Sequence, residues 1–267
     1  MNKTNIEWCD STWNPVVGCK HGCEYCYARR IAKRFGGYDK GDGTITTHNP
    51  LPRAELHQPL TVTRSNGKTV NSPFPFGFEP TLLYSRLEEP QRIKKPQTIF
   101  VCSMADLFGS WVPDEWIEAV FEACEKAPQH RYLFLTKNPA RYYKLALRGK
   151  LPQWNNYWYG STITNPYDIF WFSSSYNTFV SVEPILAEFP PERMPSFELV
   201  KLVILGAMTG PGSKERAPGR ETVCNIVKAV GSPIFMKDSL APIVGEENMR
   251  RELPWIARKS GGERRAK

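Results

Sequence analysis

Three cysteines lie within a stretch of eight residues near the start of the chain, at Cys19, Cys23 and Cys26. A structural zinc site closes with four protein ligands, and the common iron–sulfur clusters also bind four cysteines. Three thiolates therefore leave one coordination position open, where a substrate or cofactor can bind. The spacing C-x3-C-x2-C predicts a metal or cluster site on these three residues that takes part in a reaction.

Two nearby residues could instead fill the fourth position. His21 would complete a closed, structural zinc site with the three thiols. Cys9 would complete a cluster that only carries electrons, although residues 7–10 show no further ligand pattern. An open cluster, a zinc site and a closed cluster are all alternatives at this point.

The remaining cysteines and the N-terminus indicate a compartment. The first residues contain no apolar stretch typical of a secretion signal, and the apolar runs of the chain are too short to span a bilayer. We therefore expect a cytoplasmic protein that does not associate with membranes, where seven cysteines favour metal binding or catalysis over disulfides. Cys102, Cys124 and Cys224 fall in predicted strands or helices and are interpreted as core residues.

Strands and helices alternate regularly from residue 98 onward. Predicted strands cover 98–102, 131–135, 157–161, 178–182, 199–205 and 233–236; predicted helices cover 113–126, 139–148 and 221–230, with a short helical stretch at 168–172. This alternation implies a parallel sheet with right-handed crossovers. Together with a first strand at 13–18, it predicts a single α/β domain over 1–267, a partial or distorted (β/α) barrel of about six to seven parallel strands.

The N-terminal part of the chain adds a helix and an insertion. A helix is predicted over 25–35, with an apolar stripe of Ala28, Ile31, Ala32 and Phe35, so the third cysteine lies at its start. Residues 37–97 are rich in Pro, Gly, Thr and Asn and are interpreted as an irregular insertion containing a β-hairpin, with Asn66 and Gly67 in its turn. The insertion could be a lid, a substrate platform or a surface excursion.

Polar residues or glycines follow every predicted strand, and in barrels of this type the active site lies at those strand ends. The residues that we expect around one opening, with the cysteines on its edge, are Ser103, Asp106, Lys137, Thr162, Glu183 and Lys237. Asp106 could hold a cofactor or cap a turn. Glu183 could bind ribose hydroxyls or an amine. The two lysines could bind a carboxylate or a phosphate, or be solvated.

The chain carries a formal net charge of +8, from 35 Lys and Arg against 27 Asp and Glu. This balance favours an acidic partner such as nucleic acid. Part of the excess lies in a basic tail over 257–267, which can equally be a solvated end. Four tryptophans could stack on bases or pack in the core, namely Trp111, Trp116, Trp154 and Trp158.

The cysteine spacing, an aromatic residue before the last cysteine and a partial barrel together resemble the radical S-adenosylmethionine superfamily. The resemblance implies a [4Fe–4S] cluster on Cys19, Cys23 and Cys26, whose open iron chelates S-adenosylmethionine, with Tyr25 beside that ligand. It also implies reductive cleavage of the cofactor to methionine and a 5′-deoxyadenosyl radical that abstracts hydrogen from a substrate. A flavodoxin- or ferredoxin-type protein would supply the electron.

A closer resemblance, to a phage-associated, uncharacterised three-cysteine family placed among these proteins, covers nearly the whole chain. The segments that carry it are 12–15, the cysteine loop with Tyr27 and Ala28, 100–108, 134–139, 180–184 and 234–237. Two features depart from expectation. The stretch between Ser161 and Thr178 is short for the family, and residues 103–106 replace the Gly-Gly-Glu-like segment of better-known superfamily members.

Two hypotheses therefore follow from the sequence. The first is a radical S-adenosylmethionine enzyme whose substrate is a nucleic acid, a nucleotide or another molecule. The second is a non-catalytic, zinc- or cluster-stabilised nucleic-acid-binding phage accessory protein, which would use the basic charge and the aromatic residues. A barrel that keeps the cluster but only binds its ligand is a third reading.

Overall fold

A computed structural model of the protein describes residues 1–39, 45–46 and 54–256. Its helices are α1 (Tyr27–Phe35), α2 (Asp114–Glu125), α3 (Ala140–Leu147), α4 (Arg220–Ala229) and α5 (Ala241–Val244). Its strands are β1 (Asn2–Lys3), β2 (Ser11–Trp13), β3 (Val16–Val17), β4 (Tyr38–Asp39), β5 (Ile45–Thr46), β6 (Ala54–Leu56), β7 (Thr61–Thr63), β8 (Thr69–Asn71), β9 (Thr81–Leu83), β10 (Thr98–Val101), β11 (Arg131–Thr136), β12 (Tyr157–Ile163), β13 (Asn177–Val182), β14 (Val203–Leu205) and β15 (Ile234–Met236).

The main sheet contains eight strands in the order β1-β2-β10-β11-β12-β13-β14-β15. Strand β1 is antiparallel to β2. Strands β2, β10, β11 and β12 pair in parallel, and so do β13, β14 and β15. Helices α2, α3 and α4 form crossovers between successive strands. This topology confirms the predicted α/β class and the partial (β/α) barrel.

The predicted insertion contributes to three small sheets. Strands β7 and β8 form the expected antiparallel hairpin, in which Val62 pairs with Val70, and Gly67 in its turn has a φ of +75°. Strands β3, β9 and β6 form a second sheet, and β4 pairs with β5. Residues 40–44 and 47–53 of the insertion, and the basic tail 257–267, lie outside the described residues.

The chain divides into two compact units. The first contains Met1–Thr162 and Ile169–Thr178, and the second contains Ile163–Asp168 and Phe179–Lys267. The core of the first unit is rich in aromatic side chains, among them Phe108, Phe121, Phe134 and Tyr159, which pack in tilted, stacked or edge-on pairs. The core of the second unit contains buried aliphatic residues of β13, β14, β15 and α4. The single-domain expectation stays a prediction.

The first predicted strand is divided in the structure. Strand β2 ends at Trp13, and β3 begins at Val16 in a different sheet. Pro15 lies between them and has no N–H for a ladder, while its carbonyl accepts a hydrogen bond from the backbone of Leu83 at 2.8 Å. The chain therefore changes sheets at this proline, immediately before the cysteine loop.

The predicted helical stretch over 168–172 was wrong, because side chains bind the backbone of this region. The Asp168 carboxylate accepts hydrogen bonds from the backbone N–H groups of Thr164 and Asn165, at 2.7 and 3.3 Å. In the other unit, the Ser161 hydroxyl accepts a hydrogen bond from the Trp171 N–H at 3.0 Å. Such local side-chain bonds offer the backbone an alternative to a helical ladder.

Helix α1 also differs from its prediction, on the face that it buries. Ala28 and Ala32 are buried as expected, but Ile31 and Phe35 are 39% and 48% exposed. Only two of the four residues in the predicted apolar stripe are therefore buried in the core.

Candidate functional site

The segment that leads into the cysteine loop fits closely between two other parts of the first unit. The Gly18 N–H donates to the Met104 carbonyl at 3.0 Å, and the Cys19 N–H donates to the Phe78 carbonyl at 3.1 Å. Gly18 has a φ of +87°, and a Cβ atom there would lie 2.3 Å from the Glu79 carbonyl oxygen. Only glycine satisfies both conditions, so the start of the loop has one place in the fold.

The third cysteine starts helix α1, as predicted. The Cys26 thiol is the N-cap and accepts a hydrogen bond from the Arg29 N–H at 3.3 Å, while the Cys26 N–H donates to the Cys23 carbonyl at 3.2 Å. The Arg29 guanidinium donates a hydrogen bond to the Cys19 carbonyl at 3.4 Å. Helix α1 and the loop before it are thus bonded to each other at both ends of the cysteine stretch.

All three thiols are free and half-buried. Burial raises the pKa of the Cys19 thiol to about 12, and the charges of Asp106, Cys23 and Cys26 act in the same direction, while a hydrogen bond from the His21 backbone opposes them. The thiols are therefore close enough to interact electrostatically. A bound metal would reverse this balance, because its positive charge favours the thiolates that coordinate it.

The side chain of His21 joins the cysteine loop to a buried carboxylate. Its Nε2 lies 2.7 Å from Asp106 Oδ2, and its ring packs edge-on against Trp111 at 4.8 Å between centroids. Asp106 follows β10 and is 5% exposed. Because Nε2 is bound to this carboxylate, Nδ1 is the remaining ring nitrogen of His21.

Asp106 also binds the end of the neighbouring strand. Its carboxylate accepts the Thr136 hydroxyl at 2.7 Å, the Lys137 N–H at 2.9 Å and the Phe108 N–H at 3.0 Å. Thr136 is the last residue of β11. One carboxylate therefore connects the loop after β2 with the ends of β10 and β11, three adjacent parallel strands.

Three more predicted site residues lie at the same strand ends. The Lys137 ammonium lies over the Tyr25 ring, 5.4 Å from its centroid. Ser103 accepts the Tyr27 hydroxyl on its carbonyl at 2.7 Å and donates its own hydroxyl to Asn14 Oδ1 at 3.2 Å. The structure thus brings Tyr25, Ser103, Asp106 and Lys137 together around the cysteine loop.

Between Val101 and Ser103 the backbone adopts an unusual conformation. Cys102 has a φ of +57°, although it is not a glycine, and its N–H donates to the Trp13 carbonyl at 2.7 Å. The side chain is buried, in agreement with the core interpretation, and burial raises the pKa of its thiol to about 12. Cys124 is also buried, whereas Cys224 is half-buried in α4.

Thr162 and Glu183 lie elsewhere in the chain. Thr162 is half-buried near the end of β12 in the first unit. In the second unit, Glu183 follows β13 and accepts a hydrogen bond from the Lys237 ammonium, which follows β15. A Cβ atom on Gly206, after β14, would lie 3.1 Å from both side chains. An ion pair therefore occupies the carboxyl ends of β13, β14 and β15.

The sequence pointed to all four members of the His21–Asp106 and Glu183–Lys237 pairs, but to His21 only as a possible zinc ligand. It did not predict either pairing. The available signal was the strand order, since residues after adjacent parallel strands meet at one edge. Among the tryptophans proposed to stack on bases, Trp116 and Trp158 are buried, and Trp154 is 55% exposed.

The fit to a metal or cluster depends on the donor set. Three free thiols on one loop, beside a histidine held by a carboxylate, have the chemistry that both an iron–sulfur cluster and zinc require. Within the described ranges, no group of three His, Cys, Asp or Glu side chains converges on a metal position. The Cys9 thiol, the other candidate ligand, donates to the Ile6 carbonyl at 3.8 Å.

Residues 3–239 match the model of the family described as "Protein of unknown function (DUF5131)". The chain belongs to this family. No curated protein and no solved structure matches the DUF5131 chain. In the described part of this DUF5131 protein, no helix has the length and apolar character needed to cross a membrane.

Proposed function

We propose that this DUF5131 protein is a radical S-adenosylmethionine enzyme with a [4Fe–4S] cluster on Cys19, Cys23 and Cys26. The observation that supports it best is the position of the cysteine loop. His21 and Asp106 bind that loop to the carboxyl ends of β10 and β11 in a partial barrel, where such barrels carry their active sites. A cluster bound there would supply one electron for cleavage of the sulfonium bond of S-adenosylmethionine.

The protein's own residues have separable roles in this proposal. Asp106 is a positioning residue, since its oxygens are occupied by His21, Thr136 and Lys137. Lys137 holds its cation above the Tyr25 ring, where it suits a carboxylate of the cofactor. The Glu183–Lys237 pair places both charges at the strand ends of the second unit.

The test is anaerobic reconstitution with iron and sulfide, followed by reduction, addition of S-adenosylmethionine and chromatography for 5′-deoxyadenosine. We expect 5′-deoxyadenosine from the wild type. Cys19→Ala should lose both the cluster and the product, whereas Cys102→Ala, which changes a buried thiol of the same strand end, should keep its iron. A fully loaded wild-type cluster that yields no 5′-deoxyadenosine refutes the enzyme.

A second candidate is a non-catalytic, zinc-stabilised nucleic-acid-binding protein. One observation favours it: a histidine that ligates zinc usually binds a carboxylate with its other ring nitrogen, and His21 binds Asp106 in that way. Metal analysis of the purified protein separates the candidates. Iron with inorganic sulfide supports the enzyme, whereas one zinc per chain, lost together with stability in His21→Ala, supports the accessory protein.

A further inference from the structure

Helix α1 exposes a row of large apolar side chains beside the cysteine loop. Tyr27, Ile31 and Phe35 are 47%, 39% and 48% exposed. They are spaced four residues apart, so they form one stripe along the helix surface. Ala28 and Ala32, on the side of the helix next to this stripe, are buried in the core. An exposed apolar row on a helix that is already anchored indicates a surface for a partner.

The same helix is strongly basic. Its nine residues include Arg29, Arg30, Lys33 and Arg34 and no acidic residue, so its positive charge is not balanced within the helix. At about 100° per residue, Arg30 and Arg34 lie on the outward side, next to the apolar stripe. The Arg34 guanidinium stacks over the Phe35 ring at 5.1 Å from its centroid. Cations and exposed rings therefore lie side by side on one surface.

A second basic element is attached near the end of this helix. The exposed β7–β8 hairpin carries Arg64 and Lys68, and no acidic residue occurs between 57 and 78. The Thr63 N–H donates to the Asp39 carboxylate in β4 at 2.5 Å, and the Ser72 hydroxyl donates to the Gly37 carbonyl. The segment that follows α1 is thus hydrogen-bonded to the hairpin. The hairpin's Arg64 and Lys68 extend the positive charge beyond the helix.

We infer that the exposed face of α1, formed by Tyr27, Arg30, Ile31, Arg34 and Phe35, binds single-stranded nucleic acid. Cations bind the phosphates, and aromatic rings stack on bases that a single strand leaves accessible. A duplex would offer phosphates but no free base faces, and an acidic protein would offer carboxylates without stacking partners. This inference goes beyond the proposed function, which names no substrate, and it does not rest on the cluster.

The experiment measures fluorescence anisotropy of labelled dT20 and rU20 with the reconstituted full-length protein, from 50 to 300 mM salt. Arg30→Glu/Arg34→Glu should weaken binding by at least about 10-fold and lower the slope of log Kd against log salt by about 1.4, because two phosphate contacts are lost. The control, Lys95→Glu/Lys228→Glu, makes the same charge change at exposed lysines elsewhere and should bind like the wild type.

The aromatic part of the surface has its own test. Phe35→Ala should weaken binding to the single strands about five-fold or more through lost stacking. Leu147→Ala, at an apolar side chain of α3 that is 69% exposed, should have no effect. Equal affinity for dT20 and rU20 leaves both as ligands, and a preference identifies the sugar that the surface accepts.

Several results would overturn the inference. They are no binding by the wild type, an equal loss in both charge variants, tighter binding of a duplex with no effect of Phe35→Ala, or full competition by poly-glutamate, which would indicate an acidic protein partner. If the Glu variant unfolds at a lower temperature, Arg30→Gln/Arg34→Gln replaces it. The α1 variants should retain their iron and their production of 5′-deoxyadenosine, so failure here is distinct from failure of the enzyme proposal.

Discussion

The Asp106 carboxylate holds the cysteine loop through His21 and the end of β11 through Thr136 and Lys137. A buried carboxylate with this many donors fixes the geometry of every group that it binds. From the sequence alone, Asp106 could either hold a cofactor or cap a turn. The hydrogen bonds favour a positioning role, because each oxygen already has protein partners.

Asp106→Asn tests this role. The amide keeps the shape, but its NH2 group cannot accept a hydrogen bond, so a donor faces a donor in a buried site. We expect the free energy of unfolding to fall by about 2–3 kcal/mol and the iron bound per chain to decrease. Urea unfolding and iron analysis measure the two effects. Asp114→Asn, which changes a carboxylate bonded to Arg141, should leave the iron content unchanged. Wild-type iron and stability in Asp106→Asn would contradict the role.

Gly18 and Gly22 offer a matched pair of substitutions. Both have positive φ values, but a Cβ on Gly18 meets backbone at 2.3 Å, whereas a Cβ on Gly22 meets nothing within 4 Å. Gly22→Ala should cost about 1–2 kcal/mol, for the backbone conformation alone. Gly18→Ala should cost clearly more, since the 78–79 segment must move. Equal unfolding free energies for the two variants in urea would show that the loop does not pack against that segment.

At the scale of elements, the Asp168 turn replaces the helix expected over 168–172. Burial raises the pKa of Asp168, but hydrogen bonds from the backbone and hydroxyl of Thr164 and from Asn165 outweigh it, so the pKa lies below its ordinary value. A carboxylate with a lowered folded-state pKa stabilises the fold above its unfolded-state pKa of about 3.9. That contribution is lost as the pH falls through the folded-state pKa.

Asp168→Asn should therefore destabilise the protein at pH 6, and the difference from the wild type should shrink as the pH approaches 3. Urea unfolding at several pH values measures this difference. We expect about 1 kcal/mol at pH 6, because the turn is half-exposed. A difference that is constant from pH 6 to 3 would show that the ionised carboxylate does not stabilise the turn.

The elements could be predicted to different degrees. Helices α2, α3 and α4 and the strands that they connect follow from periodicity, because buried strands flanked by amphipathic helices leave a clear pattern. The change of sheets at Pro15 depends on a partner, β9, that lies far along the chain. The exposure of Ile31 and Phe35 could not be predicted, since an apolar side chain at helical spacing fits a core and a partner surface equally well.

At the scale of the whole molecule, the partial barrel could be predicted from the sequence, and so could the grouping of the three cysteines. The pairings within the site could not. Spacing along the chain predicts a common metal or cluster site for Cys19, Cys23 and Cys26, because they lie on one loop. The bonds between His21 and Asp106, and between Glu183 and Lys237, depend on which strands are neighbours in the sheet. The chain belongs to the DUF5131 family, and the description of that family assigns no function.

The most direct test of the central claim is electron paramagnetic resonance of the reduced, reconstituted protein before and after addition of S-adenosylmethionine. If three thiolates leave one iron open, the spectrum should show a [4Fe–4S]⁺ signal whose g values shift when the ligand binds. Cys19→Ala should show no such signal. A cluster signal that S-adenosylmethionine leaves unchanged, or a protein that binds zinc and no iron, would contradict the claim.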